Sequence, residues 1–206
     1  MRWLTTVLAL WILLNAAPLS AGEAPHEIAG FALGADIAGL AGRLQMDSVL
    51  PVRYQEYLEE VEIAPRPGFK SGLIAYGTCA APGRIVRVKL KYIDASRAFY
   101  DALLERVENR FGKPSVYEGD PFHIVVEWKW SFVDAEGNRI TLHLSHNNQD
   151  FEEKYGNAVK LTQIGAIEAE RDCYAEKYPQ EPQGKGYRRL PLKSMTPKDW
   201  QSFLPR

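Results

Sequence analysis

The chain has 206 residues, of which 46% are hydrophobic, and its 25 Lys and Arg against 26 Asp and Glu give a formal net charge of −1. A chain of this size buries about 70% of the surface that its unfolded form exposes, so it needs no dense disulfide framework. Residues 22–177 carry 18 basic and 24 acidic residues, whereas a nucleic-acid-binding domain is normally basic. We therefore expect a single globular domain with no nucleic-acid partner.

The amino-terminal residues are typical of a secretory signal peptide. Arg2 precedes the apolar segment 3–17, and the small residues Ser20 and Ala21 suit a signal peptidase. This apolar segment is shorter than the roughly 20 residues that a membrane-spanning helix needs. We expect residues 1–21 to be removed, leaving a periplasmic or secreted protein without a membrane span. Retention as an amino-terminal anchor is the alternative.

The first half of the domain is predicted to contain a short helix and three strands. The helix begins near Asp36, and the strands are YQEYLEEVEI (54–63), SGLIAYGTC (71–79) and RIVRVKLKY (84–92). Apolar residues alternate in the last two, which form a hairpin across the turn AAPG. Segment 54–63 also fits a helix, but the turn residues that follow it favour a strand.

The second half repeats this order. Apolar residues recur at helical spacing in segment 94–111, and Gly112 and Pro114 end that helix. FHIVVEWKWSF and NRITLHLSH alternate as a hairpin across the turn DAEGN, NAVKLTQ is a further strand, and a final helix covers 164–177. Trp128 and Trp130 are predicted to be core residues rather than binding aromatics.

This order predicts an α+β domain over residues 22–177. Its helices would pack on one face of a mostly antiparallel sheet. Because helix and three strands occur twice, at a spacing of about sixty residues, we consider an internal duplication of a helix-plus-three-strand unit.

Two cysteines, Cys79 and Cys173, are predicted to form a disulfide. A lone pair in an exported protein is usually bridged, and Cys173 falls on the buried side of the last helix. The alternative is two buried free thiols.

Residues 178–206 form a basic, Pro-rich tail with six basic and two acidic residues. Within it, TPKDWQSFL is predicted to be a short helix capped by Thr196. Trp200, Phe203 and Leu204 would share one face, which must dock on this domain or on a partner because so short a helix is not stable alone.

One candidate binding surface follows from strand alternation. Arg87, Lys89 and Lys91 lie opposite the buried positions of their strand, and Lys129 and Arg139 lie on the water-facing side of the next hairpin. If these strands share a sheet, its exposed face is locally positive and suits an anionic ligand. The alternative is an ordinary solvated sheet face whose charges Glu127 and other acids balance.

Other chemistry has little support in the sequence. His143 and His146 in HLSH point to opposite faces of a strand, so we predict no metal site and no cofactor. There is no GxSxG motif, and we assign no catalytic residue. Acidic residues cluster at 56–62 and 150–153. These acids are the candidates for the paired carboxylates of a hydrolase.

We therefore expect an exported, non-enzymatic binding or assembly module of the cell envelope. Its partner would be a protein or an anionic envelope component. The alternative is a small exported hydrolase with paired carboxylates. The sequence makes no prediction of the oligomeric state.

Overall fold

A computed structural model of the protein describes residues 23–147, 156–179 and 192–204. The strands in these ranges are β1 (Glu27–Ile28), β2 (Phe31–Ala32), β3 (Leu44–Val52), β4 (Gln55–Ile63), β5 (Phe69–Gly77), β6 (Ile85–Tyr92), β7 (Val116–Tyr117), β8 (Val125–Val133), β9 (Arg139–Asn147) and β10 (Gly156–Gln163). The α-helices are α1 (Arg97–Phe111), α2 (Ile164–Lys177) and α3 (Pro197–Phe203), and two 3-10 helices cover Ile37–Arg43 and Leu192–Ser194. The predicted leader, the acidic residues 150–153 and residues 180–191 of the tail lie outside the described residues.

Strands β3 to β10 form one antiparallel sheet in the order β3-β4-β5-β6-β10-β9-β8-β7, and β1 and β2 form a separate hairpin. The protein thus has the antiparallel sheet and the helices of the predicted α+β class. Each half of the chain supplies four consecutive strands rather than the predicted three. The last strands of the two halves, β6 and β10, pair at the centre and join the halves.

The sequence patterns missed β1 and β2 and two strands of the large sheet, and the latter two lie at its edges. β3 (LQMDSVLPV) shows no simple alternation, and its pairing with β4 shifts register between Gln45 and Leu50 and again between Pro51 and Val52. An edge strand tolerates bulges and a proline because one of its sides makes no ladder hydrogen bonds. β7 has only two residues, too few for an alternation to be recognised.

The larger hydrophobic core lies on the face of the sheet that α1 covers, which we call the apolar face. The central strands contribute Val88, Leu90, Leu142, Leu144, Val159 and Leu161. From α1 come the fully buried Tyr100 and the apolar stripe predicted from its sequence. The hydroxyl of Ser96 accepts a hydrogen bond from the Phe99 N–H at 3.2 Å, which satisfies one free donor at the start of this helix.

Trp128 and Trp130 belong to this core, as predicted. Trp130 is 1% exposed, and its Nε1 donates a hydrogen bond to the carbonyl of Gly112 at 2.8 Å, tying the end of α1 to β8. Phe122, the first residue of the predicted alternating segment FHIVVEWKWSF, is instead 84% exposed. It precedes β8, in a turn where the Asp120 carboxylate accepts a hydrogen bond from the Phe122 N–H at 2.8 Å.

The first predicted helix is a 3-10 helix rather than an α-helix. Asp36 caps it as expected, since its carboxylate accepts a hydrogen bond from the Ala38 N–H at 2.9 Å. Gly39 and Gly42 lie inside this segment, and glycine disfavours a longer regular helix. Ile37 and Leu40 still pack on the large core, so the segment contributes to the apolar face.

α2 packs against the sheet on the side opposite to α1. The prediction that the helices lie on one face is therefore not confirmed. Ala166 and Ile167 of α2 contact a second, small core that consists of Val52, Leu58, Ala75 and Val86. Ile167 also lies near Lys89 and Lys160, which alternate with the residues of the apolar face.

A disulfide and a buried carboxylate fasten α2 to the segment after β5. The predicted bridge between Cys79 and Cys173 is present, with 5.9 Å between the two Cα atoms. Glu170, one turn before Cys173, is 1% exposed. Its Oε2 accepts hydrogen bonds from the N–H groups of Thr78, Cys79 and Ala80 at 3.0, 2.6 and 3.0 Å, and its Oε1 accepts one from Ala81 at 2.6 Å.

The described end of the tail contains the predicted short helix. Thr196 and Asp199 form a capping box at the start of α3. Trp200, Phe203 and Leu204 are 45%, 61% and 63% exposed, so this apolar face is open to solvent. Among the residues that the structure describes, no helix has both the length and the apolarity to cross a bilayer.

Candidate functional site: a basic groove between the sheet and α2

A row of basic side chains crosses four neighbouring strands on the face opposite to α1, which we call the basic face. Lys89 of β6 pairs directly with Lys160 of β10. Lys160 pairs in turn with His143 of β9, and His143 pairs with Lys129 of β8. Directly opposed residues of an antiparallel pair have Cβ atoms about 5 Å apart, and like charges in that arrangement are destabilising.

Between this row and α2 lies an open groove of about 580 Å³. Its polar lining consists of Arg53, Gln55, Glu60, Arg87, Lys89, Thr141, His143, Lys160, Thr162 and Glu168. Its apolar lining consists of Val52, Leu73, Ala75, Ile164 and Ile167. The two lysines of the central strand pair therefore face a cavity large enough for a small ligand.

Arg87 is half-buried in the floor of this groove. Its Nη2 donates a hydrogen bond to Oε1 of Gln55 at 3.2 Å. Burial lowers the pKa of the Arg87 guanidinium, while the nearby charge of Glu60 raises it. In the described part of the chain, neither Arg87 nor Lys89 has a carboxylate within ion-pair distance. Among the described residues, only more distant carboxylates, such as Glu60 near Arg87, thus act on these two cations.

Lys160 lies between these cations and an acidic pair. Burial lowers the pKa of its ammonium group, and the charges of Arg87 and Lys89 lower it further. The carboxylate of Glu127 acts in the opposite direction, with 3.8 Å between its Oε1 and the Lys160 Nζ. Lys160 is therefore only partly compensated.

A charged cluster lies beside the groove, formed by Glu118 directly after β7 and by residues of β8 and β9. Nδ1 of His143 lies 2.7 Å from Oε1 of Glu127 and 3.4 Å from Oε2 of Glu118. One ligand atom from each of these three residues lies within 4.8 Å of the others, a spacing that could hold a metal ion. Lys129 Nζ already lies 2.9 Å from Oε1 of Glu118, however, and Lys160 approaches Glu127. Ammonium groups thus compensate both carboxylates, which favours a charge network over a metal site.

Replacing Glu127 by glutamine is expected to make the free energy of unfolding less sensitive to acid. The hydrogen bond with His143 lowers the pKa of Glu127 in the folded protein below its ordinary value of 4.5. This carboxylate therefore stabilises the fold fully above the unfolded pKa, and the contribution is lost as the pH falls through the lower folded pKa.

Urea unfolding at about pH 7 and about pH 3 measures this effect. The difference between wild type and Glu127→Gln should shrink on acidification, and a difference that stays constant would contradict the assignment. Glu136→Gln, an exposed residue of a turn, serves as the control and should change little at either pH.

The five predicted binding residues occupy different surroundings. Arg87 and Lys89 line the groove. Lys91 lies further along β6, opposite Ala158 of β10, and outside the groove lining. Lys129 forms an ion pair with Glu118. Arg139 forms an ion pair with Glu168 of α2. The structure thus brings two of the five together in the groove.

Sequence reasoning did not place Lys160 on the predicted basic surface. β10 separates β6 from the hairpin of β8 and β9, so the strand NAVKLTQ supplies the link between the two predicted basic segments. A signal was present: Val88–Leu90 and Val159–Leu161 both read Val-Lys-Leu. These triplets pair with each other, which places their lysines side by side.

Searches against protein-family models, curated proteins and solved structures find no significant match to this chain. Its function is therefore inferred from the groove itself.

Proposed function

We propose that this chain is an exported, non-enzymatic binding module of the cell envelope that holds an anionic group in the basic groove. The observation that carries this proposal is the convergence of Arg87, Lys89 and Lys160, two of which lack a carboxylate partner in the described residues. Thr141 and Thr162 line the same cavity and carry neutral hydrogen-bonding side chains.

Electrostatics explain why an anion suits this position. The cross-strand pair of Lys89 and Lys160 is repulsive, and burying the Arg87 guanidinium carries a desolvation cost. A bound anion offsets both effects, since charge-assisted hydrogen bonds are stronger than neutral ones. Residues that destabilise the free protein yet stabilise its complex are expected at a binding site.

The alternative function, a hydrolase with paired carboxylates, has weaker support. Glu118 and Glu127 form an acidic pair beside the groove. A general acid requires a raised pKa. The pKa of Glu127 is lowered by its hydrogen bond with His143. Glu118 already pairs with Lys129. The lowered pKa favours the ionised form of Glu127, and the ion pair with Lys129 occupies Glu118, which suits a charge network better than proton transfer.

Export is proposed from the signal-peptide features of residues 1–21 and is supported by the disulfide, which is typical of oxidising compartments. The intact mass of protein recovered from its native host tests it. A chain that starts at Gly22, and whose two thiols react with a thiol-blocking reagent only after reduction, supports export. A full-length chain with two free thiols would refute it.

The tail is proposed to dock on a protein or an anionic envelope component. The exposed apolar face of α3, formed by Trp200, Phe203 and Leu204, supports a docking role. Truncation after Pro179 should abolish recovery of a partner from envelope extracts, whereas unchanged recovery would exclude the tail as the docking element.

We also propose that the two halves of the sheet arose by duplication of a helix-plus-four-strand unit. The symmetric strand order around β6 and β10 and the two paired Val-Lys-Leu triplets support this origin. Under this proposal Lys89 and Lys160 are equivalent residues of the two repeats. Homologues with a residue-by-residue match between the halves would support it, and homologues with one half alone paired to an unrelated domain would argue against it.

Replacing Lys89 or Lys160 by glutamine is expected to weaken binding of inorganic phosphate about tenfold, because each change removes one charged contact. The dissociation constant can be measured from amide NMR shifts of the oxidised protein during titration with phosphate. Lys113→Gln makes the same charge change at an exposed residue that pairs with Glu108, and it should leave binding unchanged.

The stability of the same variants distinguishes a lysine that binds a ligand from a lysine that stabilises the fold. Without phosphate, Lys89→Gln should not lower the free energy of unfolding, since it relieves a like-charge pair. Equal phosphate binding by Lys89→Gln, Lys160→Gln and Lys113→Gln would overturn the proposed site.

A further inference from the structure

The walls of the basic groove differ in chemistry. Arg87, Lys89 and Lys160 lie on the central strands, which form the cationic floor. The first turns of α2 contribute Ile164 and Ile167, which form an apolar wall beside that floor. Both isoleucines are only partly buried, so they present apolar surface to the groove.

A small inorganic anion would use only part of this cavity. The groove has a volume of about 580 Å³, whereas a water-sized group occupies about 30 Å³. Val52, Leu73 and Ala75 extend the apolar lining from the sheet side. A bound phosphate would therefore leave apolar side chains in contact with water, and covering them is favourable in proportion to the area buried.

We infer that the ligand is an anionic amphiphile, whose phosphate or carboxylate head lies against Arg87, Lys89 and Lys160 and whose hydrocarbon part lies along Ile164 and Ile167. This inference rests on the proposed function, because the head occupies the proposed anion site. It adds the class of ligand: a molecule with a charged head and a hydrocarbon part.

The acidic residues of the groove affect how strongly an anionic head is held there. Glu168 forms an ion pair with Arg139, which lies outside the groove lining. Glu60 has no basic partner within ion-pair distance in the described ranges, and its charge acts on Arg87. An anionic head is therefore attracted by the three cations and repelled by Glu60.

The test is a calorimetric titration of the oxidised protein with inorganic phosphate and with octyl phosphate below its micelle-forming concentration. Octyl phosphate should bind at least about tenfold more tightly than phosphate. Burial of about two or three methylene groups is enough to account for this difference in affinity. Ile164→Gln should reduce this advantage to less than about threefold while leaving phosphate binding unchanged. Ile93→Gln is the matched control, at a 63% exposed isoleucine outside the groove.

A second variant keeps the test informative if Ile164→Gln fails to fold. Glu60→Gln preserves side-chain volume and removes the repelling charge, so it should strengthen binding of both ligands by a similar factor of about three to ten. An unchanged or weaker affinity in this variant would contradict an anionic head near Arg87.

The outcomes separate the two levels of the proposal. If phosphate binds and octyl phosphate binds no more tightly, the amphiphile is excluded and the anion site stands. If neither ligand binds, the proposed function itself fails. Co-sedimentation with vesicles of phosphatidylglycerol, but not of phosphatidylcholine, would assign the head to a membrane lipid. Octyl phosphate binding without co-sedimentation would assign it to a free amphiphile.

Discussion

Replacing Glu170 by glutamine is expected to lower the free energy of unfolding by about 3 kcal/mol or more. The carboxylate is 1% exposed and accepts four backbone hydrogen bonds, from residues 78–81. A glutamine side chain has one carbonyl oxygen, and its amide nitrogen would face an N–H donor in place of the second oxygen. The partly buried N–H groups of residues 78–81 would then lose charged acceptors.

Urea unfolding of the oxidised chain measures this loss. Glu176→Gln makes the same chemical change at an exposed position of α2 and should alter the free energy of unfolding by no more than about 0.5 kcal/mol. Gly77→Ala offers an independent check, because a β-carbon at this position would overlap the Glu170 carboxylate. If Glu170→Gln is as stable as Glu176→Gln, the carboxylate is not the anchor that its contacts indicate.

Removing the disulfide is expected to have the second large effect. Cys79 and Cys173 are 94 residues apart in sequence, and the chain-entropy model gives about 4.7 kcal/mol for a loop of about 100 residues. We expect Cys79→Ala/Cys173→Ala to lose about 3 to 5 kcal/mol, mainly because the unfolded chain is no longer constrained. Reduction of the wild-type protein should give a similar loss, and urea unfolding with and without reductant measures both.

The two effects should be coupled, because the bridge and Glu170 fasten the same segment to α2. Glu170→Gln should therefore have a different effect on stability in the chain without cysteines than in the oxidised wild type. Strict additivity in this double-mutant cycle would show that the two anchors act independently. A loss below about 1 kcal/mol on removal of the bridge would contradict the chain-entropy account.

Local patterns were sufficient to predict most of the elements. Period-two alternation identified β6, β8 and β9, since one side of each contributes to a buried core. Helical spacing and the terminal glycine identified α1. β3 was missed because its bulged pairing with β4 disrupts the period-two alternation of apolar residues that marks a strand.

The candidate site was predicted only in part because it depends on contacts between distant segments. Arg87 and Lys89 were recognised on their own strand, but the position of Lys160 depends on the pairing of β10 with β6. No local pattern predicts which strand will pair at the centre of a sheet. Only the repeated Val-Lys-Leu triplet carried that information.

Glu170 was missed for a different reason. An isolated glutamate on a helix is usually interpreted as solvent-exposed, because carboxylates are rarely fully buried. Its spacing of three residues from both Ile167 and Cys173 places it on the inward face of α2. The four N–H groups that compensate it belong to a segment about ninety residues earlier, which the helix pattern cannot reveal.

The central strand pair also determines how the chain must fold. Six of the seven pairings in the large sheet join consecutive strands, whereas β6 and β10 are separated by α1 and three other strands. Each four-stranded half can form from local contacts, but the pair between them closes a long loop and carries the largest entropic cost of the sheet. The disulfide links the same two halves, so in the oxidised chain they meet again after transient opening at a high effective concentration.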